Sequence, residues 1–362
     1  MSGRLRMPSA TDTGEPERVP IRLSVVIPNY NHGALIGEAI SALAKQEPAP
    51  NEIIVVDDAS TDDSLVRLER HARENSTIRL IPLIKNQGAI AALNHGLRAA
   101  RGIYVYFGAA DDLTHPGLFA ATLGALGRHP TAAFACCEAV VLDVNSGEIG
   151  HRPPVLPSYE EAFFPPDRVA EVLRRIDNWI ISGAAVVRRD VALEAGAFDP
   201  ALRSFADGFL FRQLALRYGC CFVPHVGMTW RVSSSGYSRS EAADMAGSFD
   251  VMRRAIERMR SDPVFPDWYP EVFERRWRFA LGRLAATAQP MKNETLLQLA
   301  HGWLGRTVLS FAVSIAGSIG RNLAIGWLLL QEQPTSLVGI LKTIQFRVRR
   351  TMRGCGRGRV RI

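Results

Sequence analysis

Between residues 21 and 113, apolar runs of strand length alternate with segments of helical character. The apolar runs are Leu23–Ile27, Ile53–Val56, Ile78–Leu83 and Ile103–Phe107. The helical segments between them are Ala34–Lys45, Asp62–Glu74 and Gly88–Ala100. Strands that alternate with helices indicate βαβ units, and strands that are apolar throughout indicate a sheet covered on both faces. The pattern therefore predicts an α/β fold with a mostly parallel central sheet flanked by helices.

Polar clusters follow three of the predicted strands at their carboxyl ends. These clusters are Asn29–Asn31 after the first strand, Asp57–Asp58 after the second and Asp111–Asp112 after the fourth. Open α/β sheets bind their ligands beyond the carboxyl ends of the strands. We therefore expect the three clusters to meet in one crevice and to form a ligand site.

Each cluster has more than one interpretation. Asp111 and Asp112 suit Mg²⁺ or Mn²⁺, because hard cations prefer oxygen ligands, but an aspartate also suits the N-cap of a following helix. Asp58 could bind a nucleotide base or belong to the start of the next helix. Tyr30 could stack on a base, as aromatic side chains do, or complete a turn. The residues alone leave these alternatives open.

Residues 114–240 have a less regular pattern than the first half. Apolar runs at Ala132–Cys136, Ala184–Val187 and Cys220–Val223 predict further strands, and a helix is predicted from Asp207 to Tyr218. The segment 146–166 contains two glycines and five prolines, which predicts a long loop. Long loops in compact enzymes often serve as substrate-binding lids.

The positive charge of the chain is concentrated at its C-terminal end. The formal net charge is +7 over 362 residues. No acidic residue follows Glu332, whereas eight basic residues do: Lys342, Arg347, Arg349, Arg350, Arg353, Arg357, Arg359 and Arg361. Subtracting these eight from +7 leaves −1 for residues 1–332, so the body of the protein is nearly neutral. This distribution argues against a nucleic-acid-binding protein.

The cysteines and the first residues indicate a cytoplasmic protein. Cys136 and Cys137, Cys220 and Cys221, and the single Cys355 have neither zinc-site nor disulfide-framework spacing. Both pairs lie in apolar runs and predict buried reduced thiols, as expected in a reducing cytosol. Residues 1–20 are polar, do not resemble a secretory signal and predict a disordered leader.

Residues 241–341 predict a helical and partly apolar extension. Residues 307–330 are mostly apolar, but Arg321 and Asn322 interrupt them, and a central arginine is costly in lipid. The uninterrupted piece Thr307–Gly320 is too short to span a bilayer. We expect helices that lie on the inner face of the cell membrane, followed by a basic tail at residues 342–362. Peripheral membrane contact through residues 307–362 is thus predicted, with a solubilising tail as the alternative.

Six segments resemble, in order and spacing, the motifs of family 2 glycosyltransferases, which have the GT-A fold. They are SVVIPNYN at 24–31, VVDDAST at 55–61, KNQGAIAALNHGLRAARG at 85–102, YFGAADD at 106–112, SGAAVVRRDVALEAGAFD at 182–199 and FADGFLFRQLALRYG at 205–219. The resemblance covers about residues 21–240. It implies a nucleotide-sugar-binding half at residues 21–113 and an acceptor-binding half at residues 114–240.

The resemblance also implies a role for each matching residue. Asp207 would be the general base, and Asp112 with Asp111 would hold a divalent metal, Mg²⁺ or Mn²⁺. The residues implied in binding the nucleotide sugar are Pro28, Tyr30, Asn31, Asp58, Asn86, Gly88, Asp111 and Arg231. Helix capping is the alternative for Asp207, and a solvated surface position is the alternative for Arg231.

The activity implied by the resemblance is inverting glycosyl transfer from a nucleoside-diphosphate sugar, with UDP favoured, to a glycan or lipid-linked acceptor. Polysaccharide biosynthesis for the cell envelope would be its setting. Ala109, where many members have aspartate, and Gly208, where many have a large residue, favour a non-catalytic GT-A-fold scaffold protein as the alternative. A nucleotidyltransferase would need a glycine-rich basic loop after the first strand, where Asn29–Asn31 stands.

Overall fold

The computed structural model describes residues 23–233, 244–315, 317–332 and 337–355, and the side chains of 338–352 in the last range. Its centre is a ten-stranded sheet with the order β3-β2-β1-β4-β9-β6-β10-β5, in which β7 pairs with β6 and β8 with β10. The strands are β1 Leu23–Asn29, β2 Glu52–Asp57, β3 Ile78–Pro82, β4 Tyr104–Phe107, β5 Leu113–Thr114, β6 Phe134–Asp143, β7 Ile149–Arg152, β8 Ala162–Phe164, β9 Ala185–Arg188 and β10 Cys220–Val232.

The helices divide into those that cover the sheet and those that follow it. The first set is α1 Gly33–Ala44, α2 Ser64–Glu74, α3 Ala89–Ala99, α4 Leu118–Arg128, α5 Pro166–Arg175, α6 Arg189–Glu194 and α7 Ala206–Tyr218. The second set is α8 Met245–Ser261, α9 Tyr269–Thr287, α10 Asn293–Gln298, α11 Gly302–Ser314, α12 Gly317–Glu332 and α13 Leu337–Cys355. Short 3₁₀ turns at Ser182–Ala184 and Pro200–Phe205 precede β9 and α7.

The first half of the chain follows the predicted βαβ pattern. Strands β1, β2, β3 and β4 are parallel, and each is joined to the next by a helix. The predicted helices begin and end within two residues of the observed ones, because their boundaries coincide with clear changes in hydrophobic period. The α/β fold with a central sheet flanked by helices is confirmed.

The second half of the sheet is mixed, which corrects the expectation of a mostly parallel sheet. Strands β6 and β10 are parallel, but the pairs that involve β5, β7, β8 and β9 are antiparallel. The segment 146–166, predicted to be a long loop, contains β7 and β8 and reaches the start of α5. Short edge strands beside turn residues carry too weak a periodic signal to be separated from a loop.

Two hydrophobic cores cover opposite faces of the sheet. Successive residues of β1 alternate between them: Val26 packs with Leu97 of α3 on one face, while Val25 and Ile27 pack with Ile40 of α1 on the other. Helices α3, α5 and α7 contribute to the first core, and α1, α2 and α4 to the second. The central strands of the sheet are therefore buried on both sides.

The four cysteines Cys136, Cys137, Cys220 and Cys221 are buried and free, which confirms the prediction for these thiols. Burial raises the pKa of Cys136 to about 12, so the thiol stays protonated at neutral pH. The predicted leader, the residues 356–362 and the side chain of Cys355 lie outside the described part of the chain.

The extension has a core of its own, formed by α9, α10, α11 and α12. The apolar stretch 307–330 is divided between α11 and α12. Among the residues that the structure describes, no helix has the length and apolar character needed to cross a membrane.

The last helix, α13, does not follow the predicted division of the chain at residue 342, which falls inside it. Two residues of the predicted basic tail, Arg347 and Arg350, make ion pairs with Glu138 of β6. The basic residues of this region thus serve partly as internal contacts. Nothing in the local sequence signals this, because the partners are separated by 209 and 212 positions.

Candidate active site

The carboxyl ends of β2, β1 and β4 lie side by side. Asn29 pairs with Asp57 in the register of β1 and β2, and Val26 pairs with Phe107 in the register of β1 and β4. Asn29 Nδ2 donates a hydrogen bond to Asp57 Oδ1 at 2.8 Å, and both side chains are buried. This cross-link brings the segments that follow the strands to one edge of the sheet, as the sequence predicted.

The loops after β1 and β2 are braced against each other by Asn31. Its side-chain oxygen accepts hydrogen bonds from the backbone N–H of Thr61 at 2.7 Å and of Asp62 at 3.2 Å. Asn31 and Ala59 both have a positive φ, of 57° and 59°, a conformation that costs energy for a residue with a side chain. Asn31 therefore shapes this rim, while the neighbouring Tyr30 ring is 43% exposed and Pro28 is half-buried.

Asp58 shapes the loop that leads into α3. Its buried carboxylate accepts hydrogen bonds from the backbone N–H of Gln87 at 2.8 Å and of Gly88 at 2.7 Å. Gly88 has φ 89°, in the region that favours glycine, and its N–H also lies 3.2 Å from Asn86 Oδ1. Asp58, Asn86 and Gly88 thus form one structural unit at the carboxyl end of β2, with Asn86 exposed.

Asp62 takes the capping role in this region. It accepts hydrogen bonds from Ser64 N, at the start of α2, and from Gly33 N, at the start of α1. A single carboxylate therefore serves the N-terminal ends of two helices, where negative charge is favourable. Asp58 is thereby left outside the cap of α2.

Asp111 and Asp112 follow β4 and do not cap the next helix. The N-cap of α4 is Gly117, which has no side chain to accept a hydrogen bond. Asp112 Oδ1 accepts a hydrogen bond from the backbone N–H of Arg231 at 2.9 Å, so β10 positions this carboxylate. Burial, followed by the charge of Asp111, raises the pKa of Asp112 to about 7, against the opposing effect of Arg231.

The side chain of Arg231 is held beside the acidic pair by α1. Its guanidinium contacts both carboxylate oxygens of Glu38, at 2.8 and 3.1 Å. These hydrogen bonds lower the pKa of Glu38 below its ordinary value. His32 Nε2 lies 4.0 Å from Asp111 Oδ2, which adds a second basic group to the same rim. Arg231 is therefore close to the acidic pair but is already engaged by another carboxylate.

The acidic pair fits a cation that shares its ligands with a substrate. No group of three or more His, Cys, Asp or Glu side chains placed to hold a metal ion occurs within the described ranges. Mg²⁺ and similar ions are nevertheless often held by one or two carboxylates together with substrate phosphates. Two adjacent carboxylates, one of them with a raised pKa, are a donor set of this kind.

Asp207 lies in the first turn of α7 and is held by two donors. Gly208 N donates to its Oδ1 at 2.6 Å, and the Ser182 hydroxyl donates to its Oδ2. The N-cap position of α7 is Phe205, so Asp207 lies two positions inside the helix. Arg203, just before this helix, has φ 49° and ψ −129°, and backbone strain of this kind clusters at functional sites.

A chain of contacts connects Asp207 with the end of β4. The Tyr106 hydroxyl donates to Gly183 O at 2.8 Å, next to the Ser182 that binds Asp207. The pKa of Tyr106 is raised, first by burial and then also by the charge of Asp112. These contacts link Asp207 to β4, the strand that the acidic pair follows.

A buried ion pair supports the first turn of α7 from behind. Arg212 Nη1 donates to Gly208 O at 2.7 Å, and Arg212 Nε donates to Asp177 Oδ1 at 3.0 Å. Tyr269 of α9 donates to the same Asp177 oxygen at 2.6 Å. A Cβ atom on Gly208 would lie 2.6 Å from the ring of Phe205, which explains why this position has no side chain here.

Four residues of this site were not identified from the sequence: Glu38, Tyr106, Ser182 and Arg212. Ser182 opens one of the family-like segments, but nothing in that segment marks its hydroxyl as a partner of Asp207. Tyr106 and Arg212 lie within an apolar strand and a mostly buried helix, where their polar contacts are set by tertiary structure.

Part of the chain is similar in sequence to known glycosyltransferases. A sequence model of the family described as Glycosyl transferase family 2 matches residues 24–196. The chain is 31% identical over 212 residues to an uncharacterised protein of Mycobacterium tuberculosis, a match that covers 56% of this chain and 65% of that protein. It is 31% identical over 197 residues to the O-antigen biosynthesis protein RfbC of Myxococcus xanthus, covering 54% of this chain but only 14% of RfbC. Thus the chain spans less than two thirds of the length of either relative. Asp207 and Arg231 lie beyond the segment that the family model matches.

Solved structures share the fold at low sequence identity. Residues 1–349 of S. aureus TarS, in complex with UDP-GlcNAc, superpose with a TM-score of 0.60 at 15% identity, covering 87% of this chain and 93% of that one. The mannosyltransferase PcManGT of Pyrobaculum calidifontis, in complex with GDP-Man and Mn²⁺, superposes with a TM-score of 0.54 at 21% identity, covering 85% of each chain. The fold is therefore GT-A, and residues 24–196 match the sequence model of glycosyl transferase family 2.

Proposed function

We propose that this protein is an inverting glycosyltransferase that moves a sugar from a nucleoside-diphosphate sugar to a hydroxyl of a glycan or lipid-linked acceptor. The observation that supports the proposal most is the run of contacts from Tyr106 of β4, through Gly183 O and the Ser182 hydroxyl, to Asp207 in the first turn of α7, since Asp111 and Asp112 follow the same strand β4. In this proposal, the pair Asp111 and Asp112 would serve the leaving group, and Asp207 would serve the acceptor.

The donor would lie across the carboxyl ends of β1 and β2. The exposed Tyr30 ring offers an aromatic face for a base, and Pro28 lies beside it. Asn31 and the unit formed by Asp58, Asn86 and Gly88 would give the pocket its shape. A nucleoside-diphosphate sugar as donor is supported by the structural neighbours, whose complexes contain UDP, UDP-GlcNAc or GDP-Man. UDP is the favoured nucleotide.

Asp112 and Asp111 would hold a divalent cation, Mg²⁺ or Mn²⁺. Such an ion, when bound, neutralises the diphosphate and makes it a better leaving group. A neighbour with bound Mn²⁺ supports this assignment. Arg231 would supply a second positive charge to the diphosphate after exchanging its present partner Glu38 for phosphate oxygens.

Asp207 would act as the general base. Its carboxylate accepts the proton of the acceptor hydroxyl while the acceptor oxygen forms a bond to the anomeric carbon. The bond between that carbon and the diphosphate oxygen breaks in the same displacement, so the anomeric configuration is inverted. Ser182 and Gly208 N hold the carboxylate in one orientation, which reduces the reorganisation that the step requires.

A binding experiment tests the donor assignment. Nucleoside diphosphates and their sugars are screened by the shift in melting temperature, with and without Mn²⁺, because a ligand that binds the folded state raises apparent stability. We expect a stabilisation by a UDP-sugar that requires Mn²⁺ and is lost in Asp112→Asn. If no nucleotide or nucleotide sugar stabilises the protein with or without Mn²⁺, the proposed donor class is wrong.

An activity experiment tests the base. Donor hydrolysis or transfer should disappear in Asp207→Asn, while Mn²⁺-dependent donor binding is retained. Asp167→Asn is the matched control, since Asp167 lies in the first turn of α5 and is exposed. Equal activity of Asp207→Asn and the native chain would overturn the role of Asp207. Donor binding without any turnover in the native chain would favour the scaffold function, which Ala109 and Gly208 suggest.

A further inference from the structure

The helix α13 has an inner face that is fixed to the sheet domain. Glu138 of β6 is fully buried, and its two oxygens accept hydrogen bonds from Arg347 Nε at 2.9 Å and from Arg350 Nη1 at 2.6 Å. A buried carboxylate requires such partners, because an unpaired charge inside a protein is costly. The two arginines thus determine which side of α13 faces the domain.

Two further contacts fix the same face. The backbone N–H of Leu156 donates to Thr343 Oγ1 at 3.1 Å, and Thr343 is fully buried. The rings of Tyr159 and Phe346 lie 5.0 Å apart. Together with the arginines, these contacts prevent the helix from turning about its axis to bury its other side.

The opposite side of α13 carries an outer apolar stripe. Its members are Val338, Leu341, Ile344, Val348 and Met352, which are 61, 67, 51, 46 and 71% exposed. Their spacing of three or four positions places them along one side of a helix. An exposed row of five large apolar side chains is unusual for a surface in water and marks a contact surface.

The charges beside the outer apolar stripe are positive. Lys342 and Arg349 are exposed, and α13 contains no acidic residue. A helix with one apolar face and cations beside it binds in the interface of an anionic bilayer, with its axis in the plane of the membrane. A second copy of this chain would bring the same cations to the same place, and like charges would oppose that contact.

We propose that the outer apolar stripe of α13 inserts into the surface of an anionic lipid bilayer and holds the sheet domain against it. The proposal goes beyond the transferase function, because it concerns where the protein binds and does not depend on donor or acceptor. It differs from a flexible basic tail, since the buried pairs with Glu138 make α13 a fixed part of the domain.

Co-sedimentation of the full chain with vesicles tests the proposal. Two vesicle types are compared at low salt: phosphatidylcholine alone, and equal parts of phosphatidylcholine and phosphatidylglycerol. We expect strong binding only to the anionic vesicles. Replacement of Leu341, Ile344 and Val348 by glutamine should lower the partition coefficient about tenfold or more, since insertion scales with buried apolar area. Lys342→Glu with Arg349→Glu should lower it by a similar factor.

The controls make equivalent changes elsewhere on the surface. Val66→Gln and Arg70→Glu alter an exposed apolar and an exposed basic residue of α2, and each should bind vesicles as the native chain does. All variants should retain the native melting temperature, because the changed side chains are exposed. Native binding by the triple glutamine variant would overturn the proposal. A second result would also overturn it: the native chain does not bind anionic vesicles but forms a dimer, and the triple glutamine variant stays monomeric. The outer apolar stripe would then bind a second copy of the chain.

Discussion

Three carboxylates of the proposed site already have donors that fix their direction. Asp58 is held by two backbone N–H groups, Asp112 by the N–H of Arg231, and Asp207 by Gly208 N and the Ser182 hydroxyl. Donors that are aligned before substrate arrives reduce the cost of organising charge during the reaction. For Asp207, Ser182 is the one side-chain donor described. Removing the Ser182 hydroxyl therefore measures how much the fixed orientation of the Asp207 carboxylate contributes to the rate.

Replacing Ser182 by alanine should lower kcat about tenfold, because the variant loses a hydrogen bond to a charged group, and the energy of such a bond corresponds to a rate change of about that size. The affinity for the donor should stay unchanged, since Ser182 contacts Asp207 and not the donor-side residues described above. Steady-state kinetics at saturating donor and acceptor measure the effect. Ser182→Thr keeps the hydroxyl and should recover most of the rate. A loss of donor affinity with unchanged kcat would assign Ser182 to donor binding instead.

The sequence could identify the candidate site residues that stand at strand ends but not their supports. Asp57–Asp58 and Asp111–Asp112 follow clear apolar strands, and the register of neighbouring parallel strands brings such ends together. Glu38 and Tyr106 have no such signal, since a helix-surface glutamate and a strand tyrosine are ordinary residues. Their roles arise from contacts between elements, which no local pattern encodes.

At the scale of elements, the packing of α3 on β1 depends on the absence of a side chain at Gly96. A Cβ atom there would lie 2.2 Å from Val26 Cγ1, a distance that real atoms do not tolerate. The same helix is tied to the segment before α7, because Asn94 donates to Phe198 O at 2.8 Å and accepts from Phe198 N at 3.0 Å. Any outward shift of α3 therefore also disturbs the approach to Asp207.

Gly96→Ala should destabilise the protein by about 1–3 kcal/mol, the usual cost of overpacking a core. Gly127→Ala is the matched control, since Gly127 also lies in a helix and a Cβ there meets no atom within 4 Å. That control should be neutral or stabilising by up to about 1 kcal/mol, because alanine favours helix. Urea unfolding of both variants measures the difference. Equal free energies of unfolding for Gly96→Ala and Gly127→Ala would show that α3 can shift on the sheet without cost.

The parallel half of the sheet was predictable because each element has a strong and uninterrupted period. Apolar runs alone predict the strands β1, β2 and β4, and the helical composition of the segments between the runs predicts the helices. The strands β7 and β8 are short, partly exposed and surrounded by prolines, so their sequence resembles that of a loop. Their pairing comes from the neighbouring strands β6 and β10, which no local signal reveals.

The ion pair behind α7 has a definite pH dependence. Burial alone would raise the pKa of Asp177, but the charges of Arg212 and Arg276 and the hydrogen bonds from Arg212 and Tyr269 outweigh it and lower the pKa. A carboxyl whose pKa is lower in the folded state stabilises the fold above its unfolded pKa, and this contribution is lost as the pH falls through the folded pKa.

Asp177→Asn should therefore cost about 3–5 kcal/mol at neutral pH, because it leaves the buried Arg212 without its carboxylate. The difference in the free energy of unfolding between the native chain and Asp177→Asn should narrow as the pH falls below about 4, because the native chain then loses the contribution of the ionised Asp177. Urea unfolding at several pH values provides the measurement. Asp190→Asn, at an exposed ion pair, should change stability by at most about 1 kcal/mol. A difference in unfolding free energy that stays constant across the acid range would contradict the ion pair between Asp177 and Arg212.

At the scale of the whole molecule, buried polar contacts bring the last helices of the chain back to the sheet domain. Tyr269 of α9 reaches Asp177 behind α7, and the arginines of α13 reach Glu138 of β6. Contacts between residues this distant in the chain could not be predicted from one sequence, in which the last segment shows only its basic composition.

The ion pairs between α13 and Glu138 predict that removing both arginines releases the helix from the domain, and that removing Glu138 as well restores the docking of the helix. Arg347→Met with Arg350→Met leaves Glu138 buried without a cation, which should cost about 3–5 kcal/mol and release α13 from the domain. Hydrogen exchange of residues 337–355 should then accelerate, whereas Arg349→Met, at an exposed position of the same helix, should leave it unchanged. Adding Glu138→Leu removes the unpaired charge and should restore most of the protection, because an apolar replacement of a buried ion group is often neutral or stabilising. Slow exchange in the double arginine variant would mean that α13 is held by its other contacts, and the charge of Glu138 would then have no part in docking the helix.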